Sequence, residues 1–327
     1  MTAAARTLPQ SPLNTERKGT PVTELDTVFD FSCITDLHRA RSRTIHDLLG
    51  GTAADLDRPA MAYAVAHHCL EGAEHAARAD GRDRFGWYRS AITHPPATWF
   101  ESTSRGPKII QAPTRGYMHL SPIAETPYYL LGPETQPGPT ELATLTSEAL
   151  DIAAEHGFGR LVDNHAPIVC LLEAKNPDDT LNSWTISRLP GTVFLDHTDD
   201  PYILARDIIH EAGHNWLNDA LAATSTTISD DATFYSPWKN TERPAFGFLH
   251  ACLAFPLTML FATTAATAAP KSSQQVLSTY LAQQRDKLAT TTDSHHQALR
   301  LVTNGELQDR LRAIHAAAGM SLQTPAI

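Results

Sequence analysis

Apolar residues recur at helical spacing over three parts of the chain. From residue 25 to about residue 100 they include Leu49, Met61 and Val65, and the same spacing occurs over 140–156 and 272–318. Spacings of three and four residues place side chains on one face of a helix. The pattern predicts a helical N-terminal region, a helix over 140–156 that Gly157 ends, and two or three C-terminal helices.

Shorter apolar runs predict a small sheet. The runs 168–172 and 191–195 are each long enough for a buried strand, and a polar turn at 176–179 separates them. Seven prolines between 107 and 139 interrupt short β-prone runs, which is typical of loops with a strand or two. We therefore expect an α-rich α+β fold with a small β-sheet.

The charge balance excludes some classes of partner. The 327 residues include 26 Lys plus Arg and 36 Asp plus Glu, so the formal net charge is −10 with 16 His counted neutral. Affinity for phosphates comes mainly from clustered cations. The composition therefore argues against binding to nucleic acid or to an anionic membrane.

The four cysteines and the N-terminus indicate a cytoplasmic protein. Cys33, Cys69, Cys170 and Cys252 lie far apart without a CxxC pair, which favours free thiols in a reducing compartment. Residues 1–24 contain three prolines and no apolar h-region, so no secretory signal is predicted. We expect this segment to be a disordered tail.

A long uncharged run raises the question of a membrane span. Residues 246–269 contain no Asp, Glu, Lys or Arg, and a run of this length can cross a bilayer. His250, Pro256 and four threonines lower its apolarity, and no other segment resembles a span. We therefore predict a central core helix and no membrane partner.

The segment with candidate chemistry begins at a predicted helix start. Asp199 or Asp200 can cap a helix whose first position suits Pro201, and this helix should run to about residue 222 beside the small sheet. It carries HEAGH at 210–214, an HExxH motif. Residues four apart on a helix lie about 40° apart around its axis, so His210 and His214 can bind one divalent ion. The alternative is a pair of solvated or hydrogen-bonded histidines, which apolar neighbours disfavour because unpaired polar groups are costly to bury.

A working metal site needs a third ligand. Leu217 and Ala220 stand where the metzincin extension requires Gly and His, so that class is excluded. Glu242 could serve as in thermolysin-like sites, but an acid at a helix entrance is explained by the helix dipole. His250 is the better candidate, although it could be a core imidazole that donates to a carbonyl. The HxD pattern at 197–199 is weighed as another metal site and predicted to be structural.

Three separated blocks carry a resemblance to a known family. They are LPGTVFLD at 189–196, HEAGHN at 210–215, and YSPW at 235–238 followed by RP at 243–244 and LH at 249–250. In order and spacing they resemble the HExxH-type 2-oxoglutarate-dependent peptide β-hydroxylases of ribosomal-peptide modification. The resemblance covers about 188–255.

The resemblance implies an iron oxygenase. Fe(II) would be bound by His210, His214 and His250, with 2-oxoglutarate as cosubstrate and ascorbate as reductant in vitro. The implied reaction hydroxylates a side-chain β-carbon of a ribosomally made precursor peptide. A zinc metallopeptidase is the alternative, and a peptide-binding protein with a structural or vestigial metal is a third possibility. The residue types of the candidate ligands alone do not distinguish a zinc site from an iron site.

Neighbouring polar residues suit a dicarboxylate cosubstrate. The planar guanidinium of Arg243 can bind the distal carboxylate of the cosubstrate through two hydrogen bonds, if it does not pair with Glu242 or Asp231 instead. Tyr235 and Ser236 can add hydroxyl donors, and Lys239 is a second cation. Trp238 is expected in the core or facing the peptide.

Glu211 has a different role in each alternative. A zinc peptidase would use it as the general base towards metal-bound water. An iron oxygenase would use it to orient a histidine or the substrate, or as a ligand. The adjacent pairs His67-His68 and His295-His296 diverge on a helix, and we expect them to be at the surface or partly buried.

The expected organisation has three parts. A tail over 1–24 precedes a helical N-terminal region over 25–100. The metal-binding catalytic region covers 101–327 and contains the small sheet, the HExxH helix, the helix of His250 and the C-terminal helices. We expect the second and third parts to form one continuous unit.

Overall fold

The structure of the chain, a computed structural model, describes residues 22–51, 58–120, 126–176 and 179–321. Helices account for most of it. In chain order they are α1 (Val22–Val28), α2 (Ser32–Leu49), α3 (Pro59–Arg78), α4 (Arg82–Ala91), α5 (Thr140–Ala153), α6 (Gly159–His165), α7 (Pro201–Ala223), α8 (Ala245–Ala265), α9 (Lys271–Ala289), α10 (Thr292–Leu299) and α11 (Gly305–Ser321).

The strands form one mixed sheet and two hairpins. They are β1 (Phe100–Thr103), β2 (Gly106–Gln111), β3 (Met118–Leu120), β4 (Pro127–Tyr129), β5 (Ile168–Ala174), β6 (Ser183–Trp184), β7 (Thr192–His197), β8 (Thr233–Ser236) and β9 (Thr241–Pro244). The sheet has the order β1-β2-β5-β7-β6, and β3–β4 and β8–β9 are the hairpins. Strands β2, β5 and β7 are parallel, while β1 and β6 are antiparallel edges.

The predicted α-rich α+β fold is confirmed. Helices α1 to α4 fill the N-terminal region, and α9 to α11 fill the C-terminal one. The two predicted strands are β5 and β7, which lie side by side with Ile168 opposite Thr192. Helix α5 passes into a π-helical turn in which Gly157 takes a φ of 88°, the left-handed conformation that only glycine adopts at low cost.

Alternate residues of β5 and β7 face opposite sides of the sheet, and different helices cover each side. Val169, Leu171, Val193 and Leu195 pack into a core with α5, α7 and α8. Ile168, Cys170 and Phe194 pack on the other side with α3 and β4. Successive side chains of a strand point to opposite faces, and strands covered on both faces read as continuous apolar runs. The HExxH helix therefore lies against one face of the sheet.

The start of α7 follows the predicted capping. The Asp200 carboxylate accepts hydrogen bonds from the backbone N–H groups of Tyr202 and Ile203, and Pro201 occupies the first turn. Of the two candidates, Asp200 is the cap, and Asp199 lies in the wall of a cleft. The cap at Asp200 fixes where the helix begins, and therefore which face of the helix each histidine occupies.

Helix α8 is the predicted central helix. It is long and apolar enough to cross a membrane, and 78% of its apolar window is buried inside the fold. It packs against α7 and contributes Phe248, Leu253 and Leu257 to the core. Burial over most of its surface explains why apolar residues cover its whole circumference.

Three expectations about local structure need correction. Residues 241–244 form strand β9, so Glu242 is not at a helix entrance, and Arg243 lies on the same strand. His68 and His295 are fully buried, not at the surface. Helix α1 includes the last three residues of the predicted tail, and residues 1–21 lie outside the described part of the chain.

Candidate metal centre

Helix α7 presents the two motif histidines to the same side. The rings of His210 and His214 lie 4.9 Å apart between centroids, nearly perpendicular to each other. The ligand atoms of His210, Glu211 and His214 all lie within 4.8 Å of one another. Residues four apart on a helix share a face, so one small ion can reach both histidines, whereas Glu211 follows His210 directly and lies about 100° around the axis.

His250 of α8 extends this group through His214. The Nδ1 atoms of the two rings are 2.9 Å apart, while Nε2 of His250 is buried without a hydrogen-bond partner among the described residues. Two nitrogens on one ion with bonds of about 2.1 Å are separated by roughly 3 Å when they are neighbouring ligands. The pair can therefore either share a proton or share a metal.

A glycine brings α8 close enough for this contact. A Cβ atom on Gly213 would lie 2.8 Å from Cδ1 of Leu257, about two turns of α8 after His250. Gly213 is the second x of HExxH, on the side of α7 that faces α8. The small residue lets the two helices approach, and this approach is what joins His250 to the motif.

Glu211 points away from that side, towards the sheet. Its Oε1 accepts a hydrogen bond of 2.6 Å from the Ser183 hydroxyl, and its Oε2 is buried without a partner in the described chain. Ser183 is opposite Leu195, whose side chain faces α7, and directly opposed residues of an antiparallel pair share a face. Burial raises the pKa of Glu211 to about 8, although the Ser183 hydrogen bond opposes this.

The three histidines are held neutral. Burial lowers the pKa of His210 to about 3, and it lowers the pKa of His214 and His250 well below the usual range. The positive charges of Arg243 and Lys239 act in the same direction on His214. A neutral imidazole is the form that binds a metal.

Two cations therefore lie near the histidines, and neither is neutralised by an acid. In the residues that the structure describes, Arg243 and Lys239 form no ion pair, so the alternative that Arg243 pairs with Glu242 or Asp231 is not observed. Arg243 is half-buried on β9 with its guanidinium against Gly247. Lys239 is exposed in the β8–β9 turn and reaches the wall of the cleft.

The other predicted residues of this segment divide between the two faces of the β8–β9 hairpin. Ser236 is buried, and its hydroxyl has no partner in the described chain. Tyr235 is 48% exposed and donates its hydroxyl proton to Asn240, so the structure does not bring it to the histidines. Trp238 stacks on Phe255 at 4.7 Å, and Phe255 in turn contacts the His210 ring.

His210 opens into a large cleft. The cleft has a volume of about 1590 Å³, and its walls include His210, Phe255, Lys239, Ser183 and Trp184. Pockets for small molecules have volumes of roughly 300–1,000 Å³. The cleft is thus large enough for a small cosubstrate together with a segment of a longer substrate.

Two other candidate ligands are not part of the centre. Glu242 is exposed on β9. His197 ends β7, and among the described residues it joins Asp199 in no group of three or more ligand-type side chains. The HxD pattern at 197–199 is therefore not assembled as a metal site.

Sequence reasoning missed Ser183 and Phe255. Ser183 reaches Glu211 because a two-residue strand pairs with β7, and so short a strand leaves no periodic signal. Phe255 reaches His210 because α8 crosses α7 beside Gly213. Both contacts depend on how distant elements pack.

Comparisons with protein-family models and with curated proteins find no match to this chain.

Proposed function

We propose that the protein is an Fe(II)- and 2-oxoglutarate-dependent oxygenase that hydroxylates a side-chain β-carbon of a ribosomally made precursor peptide. In the balanced reaction, 2-oxoglutarate, oxygen and a C–H bond give succinate, carbon dioxide and an alcohol. One oxygen atom enters succinate and the other enters the peptide. When bound, iron supplies the redox chemistry of this exchange.

The observation that carries the proposal is the group of three neutral histidines beside unpaired cations. His210, His214 and His250 would hold the iron, and His250 would share it with His214 through the Nδ1 atoms that lie 2.9 Å apart. This separation is close to that of two neighbouring nitrogen ligands on one ion, so it supports a bound ion. Three protein ligands leave positions for a cosubstrate.

Arg243 and Lys239 support a dicarboxylate cosubstrate. An acidic protein with free cations at a metal centre can balance the charge of an anionic ligand there. Arg243 would bind the distal carboxylate through its guanidinium, and the buried hydroxyl of Ser236 is available as a donor. Tyr235 no longer belongs to this set, because its hydroxyl is bonded to Asn240.

The surroundings of Glu211 favour this proposal over a zinc metallopeptidase. A general base must hold a carboxylate free to take a proton from water. The hydrogen bond from Ser183 instead directs Glu211 towards the sheet, and burial favours its protonated form although that hydrogen bond opposes it. In the oxygenase, Glu211 would orient the adjacent His210 through its hydrogen bond with Ser183. Trp238 and Phe255 would form an apolar wall that contacts the peptide.

The deciding experiment measures succinate. Anaerobically purified protein receives Fe(II), ascorbate and 2-oxoglutarate, and succinate is quantified after oxygen is admitted. We expect turnover even without peptide, with at least about tenfold loss in His250→Ala, because a ligand is removed. Arg243→Ala should mainly raise the KM for 2-oxoglutarate, because it removes binding and not the metal.

Matched controls are exposed residues of the same type. His296→Ala and Arg43→Ala change side chains that are exposed and distant in sequence from the site, and both should retain full turnover. Absence of succinate from protein that holds zinc, together with peptide cleavage that stops in Glu211→Gln, would establish the metallopeptidase instead. Folded, metal-bound protein with neither activity would favour the peptide-binding alternative.

A further inference from the structure

A second group of ligand-type side chains lies further along the HExxH helix. It consists of His38 on α2, His165 at the end of α6 and Asp219 on α7, and its ligand atoms all lie within 4.8 Å of one another. Asp219 follows His214 by five residues, roughly 8 Å along the helix axis at about 1.5 Å per residue. The three residues are between 2% and 3% exposed.

Both imidazoles converge on one carboxylate oxygen. Nε2 of His38 lies 2.9 Å from Oδ2 of Asp219, and Nδ1 of His165 lies 3.1 Å from the same atom. Ligand atoms that share an ion with bonds of about 2.0–2.2 Å are separated by roughly 3.0–3.6 Å. The two nitrogen–oxygen distances are close to this range and all three ligand atoms lie within 4.8 Å of one another, so an ion requires shifts of the three side chains only.

Neighbouring side chains support the positions of both histidines. His38 stacks on Tyr63 with ring centroids 4.4 Å apart, and the Asn215 side chain donates to the backbone carbonyl of His165. Supporting contacts of this kind orient metal-binding histidines. Asn215 lies one turn before Asp219, so α7 supplies both a ligand and a support.

The charge of Asp219 is buried. In the part of the chain that the structure describes, its ion-pair partners are His38 and His165 alone. Although burial opposes it, hydrogen bonds from His165 and His38 lower the pKa of Asp219 to about 2, so the carboxylate is ionised. A divalent cation with two histidines and one carboxylate would neutralise it, and this set of donors suits Zn²⁺ or Fe²⁺.

The space around the group is small. A cavity of about 60 Å³ touches His38 and His165, and none of the three side chains reaches the large cleft. A water molecule fits in such a space, but a dicarboxylate cosubstrate needs a far larger pocket. The group is therefore suited to a closed structural site and not to oxygenase chemistry.

We propose that His38, His165 and Asp219 form a second, structural site for a divalent transition metal, with water from the small cavity as a further ligand. Bound there, the ion would join α2 to α6 and to the HExxH helix. This site is independent of the proposed oxygenase function, because it uses none of the residues of the first centre.

The test measures zinc in the variant His210→Ala/His214→Ala/His250→Ala, which lacks the histidines of the first centre. The folded variant is incubated with excess Zn²⁺, desalted and analysed by mass spectrometry for metal content. We expect a single zinc ion per chain and a thermal unfolding temperature that falls with EDTA and recovers with Zn²⁺. Adding Asp219→Asn should abolish both effects, whereas the exposed control Asp286→Asn should leave them intact.

Further variants keep the test decisive. His38→Gln removes a ligand without altering α7, so it replaces Asp219→Asn if that variant fails to fold. A folded triple variant that retains no zinc would overturn the proposal and leave a hydrogen-bonded cluster. Zinc that persists in both Asp219→Asn and His38→Gln backgrounds would also overturn it, because the ion would then bind elsewhere.

Discussion

His68 uses both ring nitrogens inside the core. The backbone N–H of Leu131 donates to its Nδ1 at 3.2 Å, so Nε2 carries the proton and donates to the Thr192 hydroxyl at 2.9 Å. The neutral ring thereby connects α3 and the β4 segment to the first residue of β7. Burial lowers the pKa of His68 to about 3.

This histidine predicts a loss of stability in acid. The unfolded chain takes up a proton near pH 6.5, whereas the folded ring remains neutral until about pH 3, so the free energy of unfolding falls as the pH falls between these values. At about 1.4 kcal/mol per pH unit, His68 accounts for about 3 kcal/mol at pH 4 relative to pH 7.

Urea unfolding of wild type and His68→Gln at a series of pH values measures this contribution. The variant starts less stable at pH 7, because its hydrogen bonds are less well aligned, but its profile should be flatter. The other buried histidines are common to both proteins and cancel in the difference. Parallel profiles would show that His68 is not the titrating group.

At the scale of elements, a single glycine fixes how the chain enters β7. Gly191 has a φ of +73°, and a Cβ atom there would lie 3.0 Å from Pro167 Cγ and 3.1 Å from Ala64 Cβ. Both the conformation and the space require glycine. The strand that follows packs directly against α7, so this turn sets the position of the motif helix.

Gly191→Ala should therefore destabilise the fold by about 1–3 kcal/mol, the sum of left-handed strain and crowding. The matched control is Gly86→Ala within α4, where a Cβ atom would meet nothing within 4 Å. That substitution should stabilise by up to about 1 kcal/mol, because alanine favours a helix. Chemical denaturation of the three proteins measures both effects, and equal stability of the two variants would refute the assignment.

At the scale of the whole molecule, the sheet separates two cores and connects them. One core joins α7 and α8 to the side of β5 and β7 that carries Val169 and Leu195. The other joins α3 and β4 to the opposite side. The hydrogen bond between His38 and Asp219 joins residues that are 181 positions apart in the sequence, so the N-terminal region also contacts α7.

Shared strands predict cooperative unfolding of both cores, as expected for one continuous unit. Neither α3 nor α7 can detach from the sheet without exposing apolar residues of β5 and β7. Hydrogen exchange at increasing urea concentrations should therefore give the slowest amides of both helices the same opening free energy. Residue-resolved exchange measures this directly. A lower opening free energy throughout α3 would instead identify the N-terminal region as a separate unit.

Local features of the sequence were sufficient for the main elements and for part of the candidate metal centre. Apolar spacing predicts α5, apolar runs predict the buried strands, and capping predicts α7, since period and capping are properties of neighbouring residues. The HExxH spacing brings His210 and His214 together for the same reason. The resemblance added the proposed iron and cosubstrate, which no spacing alone specifies.

Tertiary structure decided the contacts between distant elements. It joined His250 to His214 beside Gly213, directed Ser183 to Glu211 through the register with β7, and turned Tyr235 away from the site. It also assembled His38, His165 and Asp219 from three helices. Such contacts depend on packing and register, which are set by the whole core and have no local period in the sequence.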